Sequence, residues 1–366
     1  MRGHGIRIKA SSDVLITDPL VYRNVGHGII ILNNGARVTV RGTTVTACRL
    51  YENRRSGVRV EGATAHANLD TVLVERCTAY GNGDGFYSMI AQNVTFKDLV
   101  SFNNTNILNG TSEGYGIAIQ QTLNATVEGN TLFSNRTDGL EVWGNATLSS
   151  NNCRVFRNTV YGHTLYTLDD SGSNGIEVRT GYSSGCRVFS NVLYGNTRNF
   201  RLGNDVTGTS VLANNTVDGG SYSIKMADSL EAGTNATTGW LITNNIFRNP
   251  TTRWLETEVA SGNSNTFAKN DWVGTAGAVY NGVTYTSGTI TTVDSTALTS
   301  DPLFVSVSRR DYRLVRNSSL KNAGNWWGND CVDVLRFPCF AGQINIGAYQ
   351  FSSDAVLPSA TTRTDN

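Results

Sequence analysis

The chain has 366 residues, a net charge of +1 and only 16% charged residues. Such near-neutrality excludes the basic footprint of a nucleic-acid binder, and no apolar run reaches the length that spans a membrane. Gly is abundant at 38 and Pro scarce at 5, which suits tight turns with left-handed backbone angles rather than helices.

Read from the start, the chain repeats two signatures. The first is Gly-apolar-x-apolar-x. It stands at residues 5–9 (GIRIK), 28–32, 57–61, 85–89, 116–120, 139–143 and 175–179, with looser copies at 199–203, 223–227 and 254–257. The second is a turn motif, spelled CRLYEN, CTAYGN, NTLFSN, NTVYGH, NVLYGN and NTVDGG. Its first position falls at Cys48, Cys77, Asn130, Asn158, Asn191 and Asn215, with Leu99 and Asn244 as looser members. Spacings run from 22 residues (Cys77 to Leu99) to 33 (Asn158 to Asn191). A fixed motif with variable gaps means coils of one cross-section carrying loops of different length. Short strands such as 72–74, 94–96 and 125–127 precede the turn motif. Each coil therefore reads as strand, tight turn, strand, turn, strand, loop, and crossovers between parallel strands are right-handed. The expected fold is all-β, a right-handed parallel β-helix of about ten coils. Asn at the same turn of successive coils builds a hydrogen-bonded ladder. A second column, Asn24, Asn53, Asn82, Asn104, Asn135, Asn196 and Asn249, supports the same register.

Residues 1–250 are assigned to coils, 251–351 to irregular final coils and a cap, and 352–366 to a disordered tail. The first coil starts within five residues of Met1, so another segment or chain is expected to cover that end. Cys153 and Cys186 each stand five residues before a ladder Asn and are expected to form an inter-coil disulfide. Cys331 and Cys339 are placed to close a small loop, while Cys48 and Cys77 read as small buried hydrophobes. Disulfides favour a secreted or cell-surface location.

Apolar positions of the Gly signature point inward and the x positions outward. The outward set includes Arg59, Tyr87, Gln120, Glu141, Trp143, Glu177, Arg179, Arg201, Lys225 and Glu256. Glu141 and Glu177 share a column on adjacent coils, where two bare carboxylates repel unless a cation intervenes. Asp138 precedes the strand Gly of its coil, and the inserted loop 164–174 carries Asp169 and Asp170. Asp138, Glu141, Asp169, Asp170 and Glu177 are oxygen ligands that suit Ca²⁺. Tyr87 and Trp143 are placed to stack on sugar rings, with Gln120 and Glu177 as further substrate contacts. The alternative reading of the row is a solvated set of cross-strand ion pairs.

The stretch 301–324, with 344–351 (INIGAYQF), resembles the closing segment of bacterial secreted β-helix proteins of the pectin-lyase-like superfamily. The resemblance implies a polysaccharide partner and, for the lyases among them, removal of the C5 proton of a uronate with loss of the glycosidic oxygen. Such a site neutralises the sugar carboxylate with Ca²⁺ or Arg and supplies a base. Lys225 is the first choice for the base, Arg201 the reserve, and Arg179 or Arg201 grips the carboxylate. A hydrolase with paired carboxylates and a non-catalytic glycan binder are the competing readings. The Asp-Pro-His triplet of alginate epimerases is missing, and the four His residues show no metal-ligand spacing.

Overall fold

A computed structural model describes residues 3–33, 40–105, 114–145, 147–164, 173–179, 183–204, 208–226, 236–328, 331–340 and 342–350. The chain winds into a right-handed parallel β-helix. Each coil contributes one strand to each of three parallel faces, called here the groove, second and third sheets. The Gly-apolar-x-apolar-x segments form the groove sheet, from Ile6–Lys9 to Arg253–Thr257, and each strand pairs in register with the next coil. The second sheet runs from Leu15–Thr17 to Ser264–Ala268 and joins the groove sheet through the bent strand Phe86–Lys97. The third sheet has ten strands, from Leu20–Tyr22 to Asp271–Val273.

Inward positions stack into apolar columns. Ile29, Val58, Phe86, Ile117, Leu140, Ile176, Phe200, Ile224 and Leu255 succeed one another and are fully buried. This continuous core makes the coils one cooperative body.

The turn between the second and third sheets carries the Asn ladder. Asn130, Asn158, Asn191, Asn215, Asn245 and Asn270 each donate a backbone N–H and a side-chain Nδ2 to the side-chain oxygen one coil on, and Asp294 accepts the last pair. The ladder member is Asn245, not the expected Asn244. Asn244 sits one residue earlier at a φ of 57°, in the left-handed turn position that Gly129, Arg157, Ser190 and Asn214 also occupy. Asn suits both positions, so a run of two hides the register. The same ambiguity misplaced Asn249, which takes the left-handed position (φ 49°) of the other turn. That turn carries Asn24, Asn53, Asn82, Asn104 and Asn135, then His163 and Asn196. Burial lowers the His163 imidazole to about 4, although the Asn196 hydrogen bond works the other way. His163 is therefore a neutral ladder member.

Cys48 and Cys77 are disulfide-bonded across adjacent coils, with Cα atoms 4.4 Å apart, rather than being merely buried thiols. Cys331 and Cys339 are bridged as well. The expected Cys153–Cys186 bridge is not formed. The two lie in register, but Cys153 Sγ turns to the Thr122 and Ser150 carbonyls and Cys186 Sγ to the Ser183 and Ser150 carbonyls.

Parallel rungs persist past residue 250, as far as Gly277–Tyr280. Beyond them, two antiparallel pairings lead into a cap that folds back along the outer face of the third sheet. Leu314, Leu320 and Ile346 pack there on Ile246, and Tyr312 and Ala348 on Val192. Residues 352–366 lie outside the described residues. On the same face, Tyr22, Tyr51, Tyr80, Phe102, Phe133, Tyr161 and Tyr194 stack with centroids 4.7–5.2 Å apart and near-parallel planes, and Tyr194 at the end of the row meets Arg310 and Tyr312 of the cap. Each ring between the two ends spends both faces on its neighbours, so the inner part of this stripe offers edges rather than platforms to a partner. Among the described residues no helix is long and apolar enough to cross a membrane.

Candidate functional site

Outward positions of the groove sheet form two columns. One runs Arg7, Ile30, Arg59, Tyr87, Ala118, Glu141, Glu177, Arg201, Lys225, Glu256; the other runs Lys9, Leu32, Glu61, Met89, Gln120, Trp143, Arg179. Parallel register sets successive members one strand spacing apart, ~4.7–4.9 Å at the backbone.

Charge concentrates at the middle of these columns. Glu141 and Glu177 are directly opposite each other on adjacent rungs, at 0% and 1% exposure. The cation between them is Arg179, whose Nη1 is 2.8 Å from Glu141 Oε1 and whose Nε is 3.2 Å from Glu177 Oε1. Arg201 Nη1 donates to Glu177 Oε1 at 2.9 Å. Burial opposes the charge on Arg179, but Glu177 and Glu141 outweigh it and hold the guanidinium above its usual range.

Further donors complete the carboxylates. Glu141 accepts from Tyr115 Oη at 3.2 Å and Gln120 Nε2 at 2.8 Å, and Glu177 accepts from Asn174 Nδ2 at 3.0 Å. Asp138 is buried behind them. Its Oδ1 accepts the Asn174 N–H at 2.8 Å, and its Oδ2 is buried without a hydrogen-bond partner among the described residues. Burial first, then the charges of Glu177 and Glu141 push the Asp138 carboxyl well above the carboxylate range. Dry surroundings and two acidic neighbours thus both disfavour the charged form of Asp138.

Lys225 stands on the rung above Arg201. Its neighbours correct the sequence-based reasoning, which set it among cations. Nζ lies 3.1 Å from Glu258 and 4.0 Å from Glu256, and 5.6 Å from the Tyr222 ring centroid. Tyr87 hydrogen-bonds Gln120 through its hydroxyl, and the Arg59 guanidinium covers its ring at 3.9 Å. Its face is therefore taken by Arg59 instead of lying open to a sugar. Trp143 is half-buried between Gln120 and Arg179 in its column.

The expected Ca²⁺ cage does not fit these residues as they stand. The oxygens of Glu141 and Glu177 are committed to Arg179, Arg201, Tyr115, Gln120 and Asn174. A Ca²⁺ ion needs six to eight oxygens, and among the described residues no acidic group of three is arranged to hold a metal. Asp169 and Asp170 lie outside the described residues.

Tyr115, Asn174 and Glu258 escaped the sequence reading. Tyr115 and Asn174 had a signal: like Asp138, each directly precedes a strand glycine. The same position holds His27, Ser56 and Asp84 in earlier coils, and it forms a third polar column. Ser56 N–H donates to His27 Nδ1, Ser56 Oγ to Asp84, and the Tyr115 N–H to Asp84.

Residues 41–200 match the family model described as right handed beta helix region. No curated protein matches the sequence. The structure is similar to that of XylC in complex with xylose, with a TM-score of 0.55 at 11% identity over 89% of this chain and 64% of that one. This chain thus spans less than two thirds of that protein's length. It is also similar to the A-module of the mannuronan C-5 epimerase AlgE6 of Azotobacter vinelandii (TM-score 0.46, 16% identity, 81% of each chain). An alginate lyase of Paenibacillus sp. str. FPU-7 aligns with a TM-score of 0.43 at 12% identity, over 71% of this chain and 98% of that one. At such identities the likeness is one of fold, and a fold hosts many chemistries. The chain is a right-handed parallel β-helix protein.

Proposed function

We propose that this protein acts on an acidic polysaccharide laid along the groove sheet and cleaves it by β-elimination. One observation carries the reading: Glu177, Arg201 and Lys225 occupy successive rungs of one column, with Arg179 beside them. Cations on consecutive rungs fit the carboxylates of consecutive uronate units. The shared fold with a xylose-bound protein supports a carbohydrate ligand, and two disulfides support a secreted location.

In this reading Arg201 and Arg179 grip the uronate carboxylate and stabilise the charge that develops when C5 loses its proton. The Lys225–Glu258 pair, 3.1 Å apart, serves as the base in this reading and takes up that proton. The electron pair of the C5–H bond becomes the C4–C5 double bond, the C4–O bond breaks with its electron pair leaving on oxygen, and that oxygen takes a proton from solvent water. Glu141 and Glu177, directly opposite each other on adjacent rungs, favour a second reading, a hydrolase with paired carboxylates.

A panel of polyuronates, incubated with and without Ca²⁺, separates the readings. β-Elimination predicts new reducing ends together with near-ultraviolet absorbance from the unsaturated product. Reducing ends without absorbance would replace it with hydrolysis, and binding without either would make the groove a recognition surface.

A further inference from the structure

The third polar column, which holds Asp138 and Asn174, continues along the margin of the groove sheet as Arg198, Tyr222 and Arg253, one on each rung. Its side chains reach the central column. Asn174 Nδ2 donates to Glu177, and the Tyr222 ring lies beside Lys225 Nζ. Arg253 therefore borders the rung of Glu256, one rung past Lys225 and two past Arg201.

Arg253 differs from the paired cations of the groove. Arg179 and Arg201 are paired with Glu177, and Lys225 with Glu258 and Glu256. Arg253 makes neither an ion pair nor a side-chain hydrogen bond among the described residues, and its Nε is closed off from solvent without a partner. Glu256, on the same strand, turns to Lys225 instead. A half-buried guanidinium gives up part of its hydration, and here the fold supplies no carboxylate in return. The next residue of the column is Gly277, and Arg253 Nη1 lies 3.4 Å from where a Cβ there would stand. The guanidinium thus extends over a rung that has no side chain, at the end of the groove, where the antiparallel strand Val283–Tyr285 closes the sheet. At this end Glu256 and Glu258 also set two negative charges against the single ammonium of Lys225, so an acidic chain that reaches it needs a further cation.

We propose that Arg253 holds the carboxylate of the sugar unit bound next to the one over Lys225, so that the groove selects a polymer whose neighbouring units both carry an acid group. A guanidinium takes a carboxylate through two parallel hydrogen bonds, a geometry that a lysine does not match. The inference rests on the groove being the polysaccharide site and adds a specificity-determining residue to it.

The test is calorimetric titration with polygalacturonate, polymannuronate and polyguluronate. It uses the full chain carrying Lys225→Gln, which leaves the polymer uncut while an amide still faces Glu258. Arg253→Gln, Arg253→Lys and Arg201→Ala are each added singly. The expected result is that at least one polyuronate binds and that Arg201→Ala and Arg253→Gln each weaken it at least about tenfold. Arg253→Lys should fall between Arg253→Gln and the parent, with the urea midpoints of both Arg253 variants within error of the parent. Unchanged affinity in Arg253→Gln beside a loss in Arg201→Ala would overturn this proposal and leave the groove as the binding site. Unchanged affinity in both, or no binding of any of the three polymers, would overturn the groove reading and this proposal together. Weaker binding accompanied by a lowered urea midpoint would also overturn it, making Arg253 a brace of the sheet.

Discussion

Two buried polar columns run along this solenoid, and they differ in kind. The Asn ladder repeats one residue over six coils, and each amide both gives and takes hydrogen bonds. The groove column changes residue at nearly every rung, from Tyr87 through Glu141, Glu177 and Arg201 to Lys225. Identical residues in register solve one problem repeatedly, namely satisfying the turn backbone of each coil. Different residues in register instead pair with one another, as Glu177 does with Arg201, and the order of their charges is what the proposed function draws on.

The comparison breaks most sharply by substituting within the ladder. Asn191→Ala strips its partners on both sides. The Asn158 N–H and Nδ2 lose their acceptor, and Asn215 Oδ1 and the Val155 carbonyl lose donors. Buried groups left without partners cost about 1–3 kcal/mol each, so the expected loss exceeds ~3 kcal/mol, read as a lowered urea midpoint. A midpoint within error of wild type would mean that the ladder is decoration.

The groove column should behave in the opposite way. Lys225→Ala and Arg201→Ala are expected to lower turnover about 100-fold or more, equivalent to ~2.7 kcal/mol of transition-state stabilisation, with Arg179 still paired to Glu177 in the Arg201 variant. Glu177→Gln should weaken substrate binding. Arg59→Ala, two rungs before Ala118 in the same column, should change turnover less than about threefold.

Asp271 tests whether polar burial without a ladder is tolerated. It occupies the last third-sheet strand, is 0% exposed, and neither carboxyl oxygen has a side-chain partner. Burial pushes it up to about 8, against a backbone hydrogen bond from Ser300, with Asp301 adding to the rise. Because the folded value lies above the unfolded one, the native state binds more protons between about pH 4 and 8. Its contribution to stability is whole below that window and is lost as pH rises through it. Asp271→Asn should flatten this slope and raise the denaturation midpoint at pH 8. An unchanged slope would assign the pH dependence elsewhere.

The smallest effect concerns the thiols. Alkylation of unfolded, unreduced protein should modify Cys153 and Cys186 and leave four cysteines blocked, and Cys153→Ser should cost little beyond its packing.

The fold was legible because its signals repeat. The Gly-apolar-x-apolar-x segments place every groove strand, and alternate apolar residues identify the core without further information. The register errors at Asn244 and Asn249 arose where two residues in sequence suit adjacent turn positions. The disulfides were harder. A shared offset shows that Cys153 and Cys186 are neighbours, but side-chain direction decides bonding, and that belongs to the packed turn. At the site, sequence placed Glu141, Glu177, Arg179, Arg201 and Lys225 on one face. It did not show that Arg179 would sit between the carboxylates, nor that Glu258 would pair with Lys225. Those contacts depend on side chains reaching across rungs from positions that no local pattern marks.

The most direct test of the central claim, that the varied column is the reacting one, is the rate of near-ultraviolet absorbance gain on a polyuronate substrate for wild type, Arg201→Ala and Arg59→Ala. The account predicts unsaturated product from wild type and Arg59→Ala, and none above background from Arg201→Ala. Equal rates from Arg201→Ala and wild type would contradict it.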